Sequence, residues 1–392
     1  MSAFGRFRPL LARPGVRALA WLGFLSQCTQ GAAPVAIVLV VTAAGGGYAL
    51  AGATLAGYAV AAGACRPVQG RALDRRGPHA VLPLAVTAHA LGLFGVVALT
   101  WLGRPGDRGL LYVLAGAVGG AGLPAISASM RLLLVRPGDL EKAAVYSLVA
   151  LTQEAAILVS PLLVAGVAAV GSARLALLIT TLVAVGGTLG FASRARAGRP
   201  PHDETRPAPG RLLTRGMVAV QAFAALWGTA VGACEFGAPA FARSHGYPAL
   251  GGTLAALVSI GGIAGAAVSA TMRTDASPVL WAAMLMMLFG FELTMVAVTG
   301  TLLAAGVLLL FAGLPLTATY TMFALLVDAH APTGRIAEAF AWLSTANAAG
   351  VSSGSAVAGF VAQHAGTDAV FMQGGMASMA GAVAMLALRR HL

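Results

Sequence analysis

Gly70-Arg71-Ala72-Leu73-Asp74-Arg75-Arg76-Gly77 is a dense charged turn wedged between two long apolar segments. Tyr48 to Gln69 before it and Ala80 to Leu102 after it are each long enough to cross a bilayer, for which about 20 apolar residues suffice. A short basic loop between two spans belongs on the cytoplasmic side, where Lys and Arg accumulate. Composition agrees: the chain is 58% hydrophobic and only 10% charged, with a mean hydropathy of +0.84. A soluble domain carries about 25% charged residues.

Outward from that loop the 392 residues divide into twelve apolar spans. Six fill the first part: Val16 to Val41, Tyr48 to Gln69, Ala80 to Leu102, Gly109 to Leu134, Ala143 to Val170 and Leu175 to Ala192. Six fill the second: Gly216 to Phe241, Ala249 to Met272, Val279 to Thr299, Thr301 to Val327, Ile336 to Ala362 and Ala369 to Leu388. The runs are continuously apolar and do not alternate, so they read as helices and not as barrel strands. The order also repeats. Ala121-Gly122-Leu123-Pro124 recurs as Ala312-Gly313-Leu314-Pro315. Gly47-Tyr48 with Gly52-x-Thr54-Leu55-Ala56 recurs as Gly246-Tyr247 with Gly251-x-Thr253-Leu254-Ala255. Tyr146 and Gln153 echo Phe340 and Asn347. Three matches in corresponding spans support two six-helix halves.

The pattern Gly70-x-x-x-Asp74-Arg75-x-Gly77 between the second and third spans resembles the loop motif of the major facilitator superfamily of transporters. The resemblance implies an all-α integral membrane protein whose twelve transmembrane helices form two six-helix pseudo-repeats, around an axis along the membrane normal. Residues 1–192 would be the first half, 216–392 the second, and 193–215 a polar, Arg- and Pro-rich cytoplasmic linker. It also implies a cytoplasmic gate. Asp74 would dock on the start of span eleven, Thr333-Gly334-Arg335, because a carboxylate is favoured at a helix N-terminus. Arg335 would add a charge-assisted bond, Arg131 is a second candidate partner, and Arg75 belongs to the same motif. Gly70 and Gly77 would permit close approach and the turn. Basic residues usually follow the second glycine in the family, whereas Pro78-His79 stand here. Spans two, five, eight and eleven meet across the halves in the family. Gly52, Ala56, Ala59 and Gly63, then Gly251, Ala255, Ser259 and Gly262, then Gly350, Gly354 and Gly359, are therefore expected to pack there. Gly/Pro interruptions in spans four and ten would kink helices that line a central cavity.

The net charge of +12 does not signal nucleic-acid binding, because its distribution is topological. Arg6, Arg8, Arg13 and Arg17 precede span one. Arg66, Arg71, Arg75 and Arg76 follow span two; Arg131, Arg136 and Lys142 follow span four. Arg194, Arg196, Arg199, Arg206, Arg211 and Arg215 fill the linker beside Asp203 and Glu204. Arg273, Arg335, Arg389 and Arg390 mark the later loops and the tail. The opposite loops hold only Arg104, Arg108, Arg174 and Arg243. The bias places both termini in the cytoplasm of a multi-pass plasma-membrane protein, its basic face toward anionic lipid. The first apolar run continues past Gln30 to Val41, too long for a signal peptide's core of about 7–15 residues. Cys28, Cys65 and Cys234 are scattered, so no disulfide, metal or cofactor is expected. No HExxH and no paired His/Asp stands in the spans, which argues against an intramembrane enzyme.

Ionisable residues inside the spans point to function, since they are costly in hydrocarbon and face protein or a wet cavity. Glu154 lies mid-span in span five beside Gln153, and Glu235 lies in the outer half of span seven, on a stripe with Gln221 and Gly228. Both are candidates for proton coupling or substrate contact, because hydrocarbon favours the neutral form of a carboxyl group. Glu292 in span nine and His89 in span three have a plainer reading as interhelical partners. Gln27, Gln30, Gln221, Tyr320 and Asn347, with Thr317, Thr319, Thr321 and Trp227, would build the rest of a site. The sequence therefore reads as a monomeric secondary transporter working by alternating access, with a small-molecule substrate and protons as partners. Proton-driven efflux of an apolar or amphipathic solute is the first reading, uptake by proton symport or uniport the second, and a non-transporting membrane sensor the third. Two antiporter features are missing: Leu114 to Gly120 holds no arginine, and Ser160-Pro161 lacks a following glycine pair.

Overall fold

A computed structural model of the protein describes residues 3–102, 105–135, 142–197, 212, 214–247, 250–270, 277–332 and 334–389. Among the described residues all regular structure is helical: α1 (Ala3–Ala12), α2 (Val16–Ala43), α3 (Tyr48–Arg76), α4 (Pro78–Leu99), α5 (Gly109–Ala121), α6 (Ile126–Leu134), α7 (Lys142–Val170), α8 (Ala173–Ala197), α9 (Arg215–Ser244), α10 (Gly251–Ser269), α11 (Pro278–Val298), α12 (Leu302–His330), α13 (Ile336–Ala365) and α14 (Thr367–Ala387). Setting aside the short α1 and counting α5 and α6 as one broken span gives twelve spans among the described residues. Eleven are long and apolar enough to cross a bilayer. The twelfth, α13, is 30 residues long, and Glu338, Ser344, Thr345, Asn347 and Ser352 interrupt its apolar run. Arg104, Arg136, Arg199, Asp203, Glu204, Arg206, Arg211, Arg273, Thr333 and Arg390 lie outside the described residues, as does most of the expected linker. Its first residues, Ser193 to Ala197, extend α8, and Arg215 opens α9.

The charged stretch that decides the fold is not itself a turn. α3 runs through it to Arg76, because Leu73 is buried and basic residues suit a helix C-terminus. The reversal is made at Gly77 alone, whose φ of 76° and ψ of 165° is a conformation that a Cβ disfavours. Pro78 then opens α4 at its first turn, where a missing N–H costs nothing. That is the physical sense of the departure at Pro78. The short α1, read from the sequence as part of a basic tail, is a helix that buries Phe7 and Leu10 and packs against α2, α7 and α10.

The two expected kinks behave differently. Span four is broken outright between α5 and α6, at Gly122-Leu123-Pro124-Ala125, whereas Pro315 sits inside a continuous α12. The carbonyls freed by the break are capped from neighbouring helices. Gln69 Nε2 donates to Ala121 O at 2.8 Å and to Leu123 O at 3.1 Å, and His89 Nδ1 donates to Gly119 O at 2.6 Å. The Gly47/Gly246 repeat aligns Gln69 with Val268 and Arg66 with Gly265. Among the described residues of α10 no side-chain amide stands at the matching place. Instead a Cβ on Gly265 would collide with Leu314 O, so α10 lies flat against an unbroken α12.

His89 is thus a structural clamp. Its Nδ1 carries the proton given to Gly119 O, so in the neutral ring Nε2 accepts from Thr29 Oγ1, 2.9 Å away. The glycines of span eleven also correct an expectation. A Cβ on Gly350 or Gly354 would meet the backbone carbonyl of Ala225 or Thr229, so they seat α13 against α9 within one half. Gly52, Ala56 and Ala59 of α3 are exposed instead.

Replacing Gln69 with Leu removes both side-chain donors from the break. Leaving these carbonyls unpaired should destabilise the fold by about 1–3 kcal/mol each where water cannot reach them. The expected readout is a lower midpoint of thermal unfolding in detergent, with Val268→Ala unchanged as the control. An unchanged midpoint for Gln69→Leu would show that the break is held by packing alone.

Candidate functional site

The two halves are fastened at the end of the bundle that holds Asp74. Gly70 brings α3 onto the start of α13 so closely that a Cβ there would lie 2.7 Å from both Ala337 O and Ala341 Cβ. Four residues on, Asp74 reaches the unpaired N–H groups of that helix. Its Oδ1 accepts from Ala337 N and its Oδ2 from Glu338 N, each at 2.8 Å. The expected docking of Asp74 on span eleven is present, made by backbone donors. Beside it Glu338, only 1% exposed, takes two guanidinium groups. Arg71 Nη2 lies 2.8 Å from Oε1 across the interface, and Arg335 Nε lies 2.8 Å from Oε2 on the same helix.

Three expectations about this gate change. Arg131 does not bond Asp74: it is buried, with its guanidinium centred 4.7 Å from the Phe340 ring and 5.9 Å from that of Tyr320. Its Nε and Nη1 have no hydrogen-bond partner among the described residues. Arg335 fastens Glu338 through Nε and Nη2. Arg75 is exposed, and the cross-half ion pair falls to Arg71. Arg71 and Glu338 went unread as gate residues, although Arg71 shares a helix face with Asp74 and Glu338 sits one turn beyond Arg335.

Further contacts join the halves. Lys142 Nζ pairs with Asp328 Oδ2 at 2.6 Å, Ser147 with Ser269 at 2.8 Å, and the Tyr146 and Phe340 rings meet at 5.7 Å. Pro67 has no N–H to give Gly63, so that carbonyl lacks its helical donor. Thr345 Oγ1 supplies one from α13 at 3.0 Å. The contacts named here run from mid-bundle to the Asp74 end. Beyond them Gly52, Ala56 and Ala59 on α3, and Ser352 and Ala356 on α13, are exposed.

Above this seal lies a cavity of about 180 Å³, room for about six waters at about 30 Å³ each. Both halves build it. The broken span contributes Pro124 to Ala128, and α7 contributes Gln153, Glu154 and Ile157. α9 contributes Trp227, Val231 and Glu235, α12 contributes Leu316, Thr317 and Tyr320, and α13 contributes Ala341, Ser344, Asn347 and Val351. Gln30 of α2 and Arg66 of α3 complete the wall. Of the expected residues, Glu154, Glu235, Gln153, Gln30, Tyr320 and Asn347 therefore share one space.

Glu154 Oε1 accepts from Thr317 Oγ1 at 3.3 Å across the interface. Tyr320 Oη lies 3.4 Å from Ser344 Oγ, and Asn347 Oδ1 is buried without a partner. Ser127 Oγ stands 2.9 Å from Gln27 Oε1 and 3.0 Å from Gln153 Oε1. One hydroxyl proton serves only one of them, so the other contact needs a turned amide.

Gln27 is fully buried behind the wall, bonded to Thr152 and Ser127, and orients the site without lining it. Gln221 also stands apart, donating to Ala339 O at 3.3 Å. Its stripe with Gly228 and Glu235 does share a face: Gly228 packs against Asn347 O, so the stripe looks at α13. Glu292 lies on α11, away from the cavity. Arg66, Ser127 and Ser344 are wall residues that sequence reasoning missed. Arg66 was counted only as a topological charge, and the serines carried no signal beyond polarity.

No curated protein matches the sequence. The fold is shared with solved transporters at low identity. The human organic anion transporter MFSD10 (TETRAN) is 14% identical, with a TM-score of 0.72 over 94% of this chain and 98% of that one. A bacterial homologue of the iron transporter ferroportin, in an outward-facing state, is 14% identical, with a TM-score of 0.70 over 94% and 97%. The E. coli fucose:proton symporter FucP is 13% identical, with a TM-score of 0.69 over 94% and 97%. A family model described as the Major Facilitator Superfamily matches residues 19–355, and the chain belongs to this superfamily of multi-pass membrane transporters.

Proposed function

We propose that the protein is a proton-coupled secondary transporter that works by alternating access. In this reading it sits in the plasma membrane with both termini and the Asp74 end in the cytoplasm. It acts as a monomer and exports a small amphipathic solute. The observation that carries the reading is the cavity between the halves, which holds Glu154 and Glu235 above a sealed end. Trp227, Tyr320, Ile157 and Val231 give apolar contact, while Gln30, Gln153 and Asn347 give polar contact. Uptake by symport is the second reading. It is favoured by the missing arginine between Leu114 and Gly120 and the missing glycine pair after Ser160-Pro161.

Glu154 is the proton carrier in this scheme. It is bonded across the interface to Thr317, so a change in its charge biases the contact between the halves. Glu154→Gln mimics the protonated form. It should abolish uphill transport driven by a pH gradient in vesicles and leave solute binding and downhill exchange intact. Concentration of solute by the variant at the wild-type level would reassign Glu154 as a structural hydrogen-bond partner.

Asp74 is the gate. An amide at its position accepts through one oxygen only, so Asp74→Asn loses at least one charge-assisted bond, worth about 1.5–3 kcal/mol. Transport should fall about tenfold or more at an unchanged membrane level of the protein, because insertion depends little on acidic residues. Normal rates would mean that the motif only sets orientation.

Alternation requires the far ends of α3 and α13 to meet in turn. The observed pairings Gly63–Thr345 and Gly70–Ala337 set an antiparallel register that carries Ala56 opposite Ser352. A double variant, Ala56→Cys with Ser352→Cys on a cysteine-free background, should form a cross-link that arrests transport and is reversed by reductant. Full transport after quantitative cross-linking would exclude closure at that end.

A further inference from the structure

We infer that Arg66 is the floor anchor of the cavity and that the transported solute carries a carboxylate bound there. This rests on reading the cavity as the solute site. Arg66 lines the wall and has no ion-pair or hydrogen-bond partner among the described residues. An enclosed charge without a counter-charge is costly, and proteins normally pair it. Nearby cations show the contrast: Arg71 and Arg335 share Glu338, and Lys142 takes Asp328. A second guanidinium, Arg131, lies behind Tyr320 with Nε and Nη1 unpartnered, which adds positive potential at the same level.

The position is specific to this half of the molecule. The internal repeat gives Arg66 the place held by Gly265 in the second half, and Gly265 only seats α10 on α12. No packing requirement of the fold calls for arginine there. Topology does not call for it either, since Arg71, Arg75 and Arg76 already mark that end of α3. Pro67 follows directly, and its missing N–H diverts Gly63 O to Thr345, so the residue stands on a segment tied to α13.

Height along the bundle separates Arg66 from Glu235, and position around the bundle separates it from Glu154, since α3 packs on α13 and α7 on α10. Arg66 is ten residues from the Arg76 end of α3, and Glu235 is twenty residues from the Arg215 start of α9. At 1.5 Å per residue, the Arg66 backbone lies about 15 Å nearer the sealed end than that of Glu235. Ala341 and Ser344 of α13 and Tyr320 of α12 share the wall with it. The solute's acid group would lie at this floor, with its apolar part between Trp227, Ile157 and Tyr320. A single guanidinium fork matches the two oxygens of a carboxylate, whereas a dianionic phosphate would call for more donors.

The test uses benzoate, benzyl alcohol and benzylammonium as probes of one shape and three charges. Binding to the purified full-length protein is measured by calorimetric titration. Benzoate should bind at least about tenfold tighter than benzyl alcohol. Arg66→Gln should weaken benzoate about ten- to hundredfold, the range of one hydrogen-bonded charge, and leave benzyl alcohol unchanged. Arg66→Lys should lose several-fold, because an ammonium cannot present the fork, and this variant decides the matter where Arg66→Gln does not fold. Unchanged benzoate affinity in either folded variant overturns the assignment. Benzyl alcohol binding in wild type without a benzoate preference also overturns it, while leaving the cavity as the solute site. If none of the three binds, the assignment falls together with the reading of the cavity.

Discussion

The structure depends on one small contact: the carboxylate of Asp74 on the N–H groups of Ala337 and Glu338 at the start of α13. A helix start carries unpaired donors and the positive end of the helix dipole. An anion placed there needs no specific side-chain partner, only close approach. Gly70 supplies the approach, and Gly77 turns the chain away immediately afterwards. Once Asp74 is seated, Glu338 is held inside the interface and needs cations. Arg335 comes from its own helix and Arg71 from the other half. Removing one partner from such a buried group typically costs about 3–5 kcal/mol. The gate is thus a cooperative unit in which each charge makes the next one affordable.

The cavity depends on a second constraint, the failure of the two repeats to be equal. Both halves carry the same Ala-Gly-Leu-Pro element, yet only the first breaks. The proline does not decide this; the neighbouring helix does. Gln69 and His89 offer donors to the carbonyls of Gly119, Ala121 and Leu123, so the chain can leave the helix there without stranding polar groups. On the other side Gly261 and Gly265 press α10 onto the carbonyls of Leu310 and Leu314 and leave no room for an opening. The released segment, Pro124 to Ala128, becomes cavity wall, and its Ser127 ties Gln27 to Gln153.

Much of this was legible in the sequence, for identifiable reasons. Hydrophobic runs report spans because each must satisfy its backbone within itself. Eleven helices carry that signal, and α13 keeps enough of it despite its polar face. Glu154, Glu235 and Asn347 were legible because polar groups are rare in such runs, and rarity is information. Arg66 and Arg71 were not, because a basic residue near a span end has a topological explanation that hides any other. Glu338 was hidden for the same reason: it stands one turn inside a span, where a charge looks like a boundary marker. The mistaken pairing of Arg131 arose from placing it by loop when its helix turns it inward onto Phe340. The exposed stripe on α3 was read as packing because sequence reports residue size and not which side of a helix is occupied in a given state.

That stripe explains how a sealed end can be released. In the proposed cycle, opening the Asp74 end breaks the two charge-assisted bonds of Asp74, together worth about 3–6 kcal/mol, and with them the pairs Arg71–Glu338 and Lys142–Asp328. Inverting a two-state equilibrium from 1:99 to 99:1 takes about 5.5 kcal/mol of differential affinity. The share of Asp74 alone is of that size, so in the proposed cycle bound solute and a proton release the seal only together with bonds gained elsewhere. What replaces the lost bonds must form at the other end. Gly52, Ala56 and Ala59 face the side of α3 that Gly63 and Gly70 already present to α13, one helical turn after another. Ser352 and Ala356 continue the matching side of α13. Small side chains allow backbones to approach, and in lipid such approach supplies most of the attraction between helices. In the proposed cycle one face of α3 thus serves both ends in turn, with charge fastening the first and close backbone packing the second, and the cavity lies where the two zones meet at Arg66.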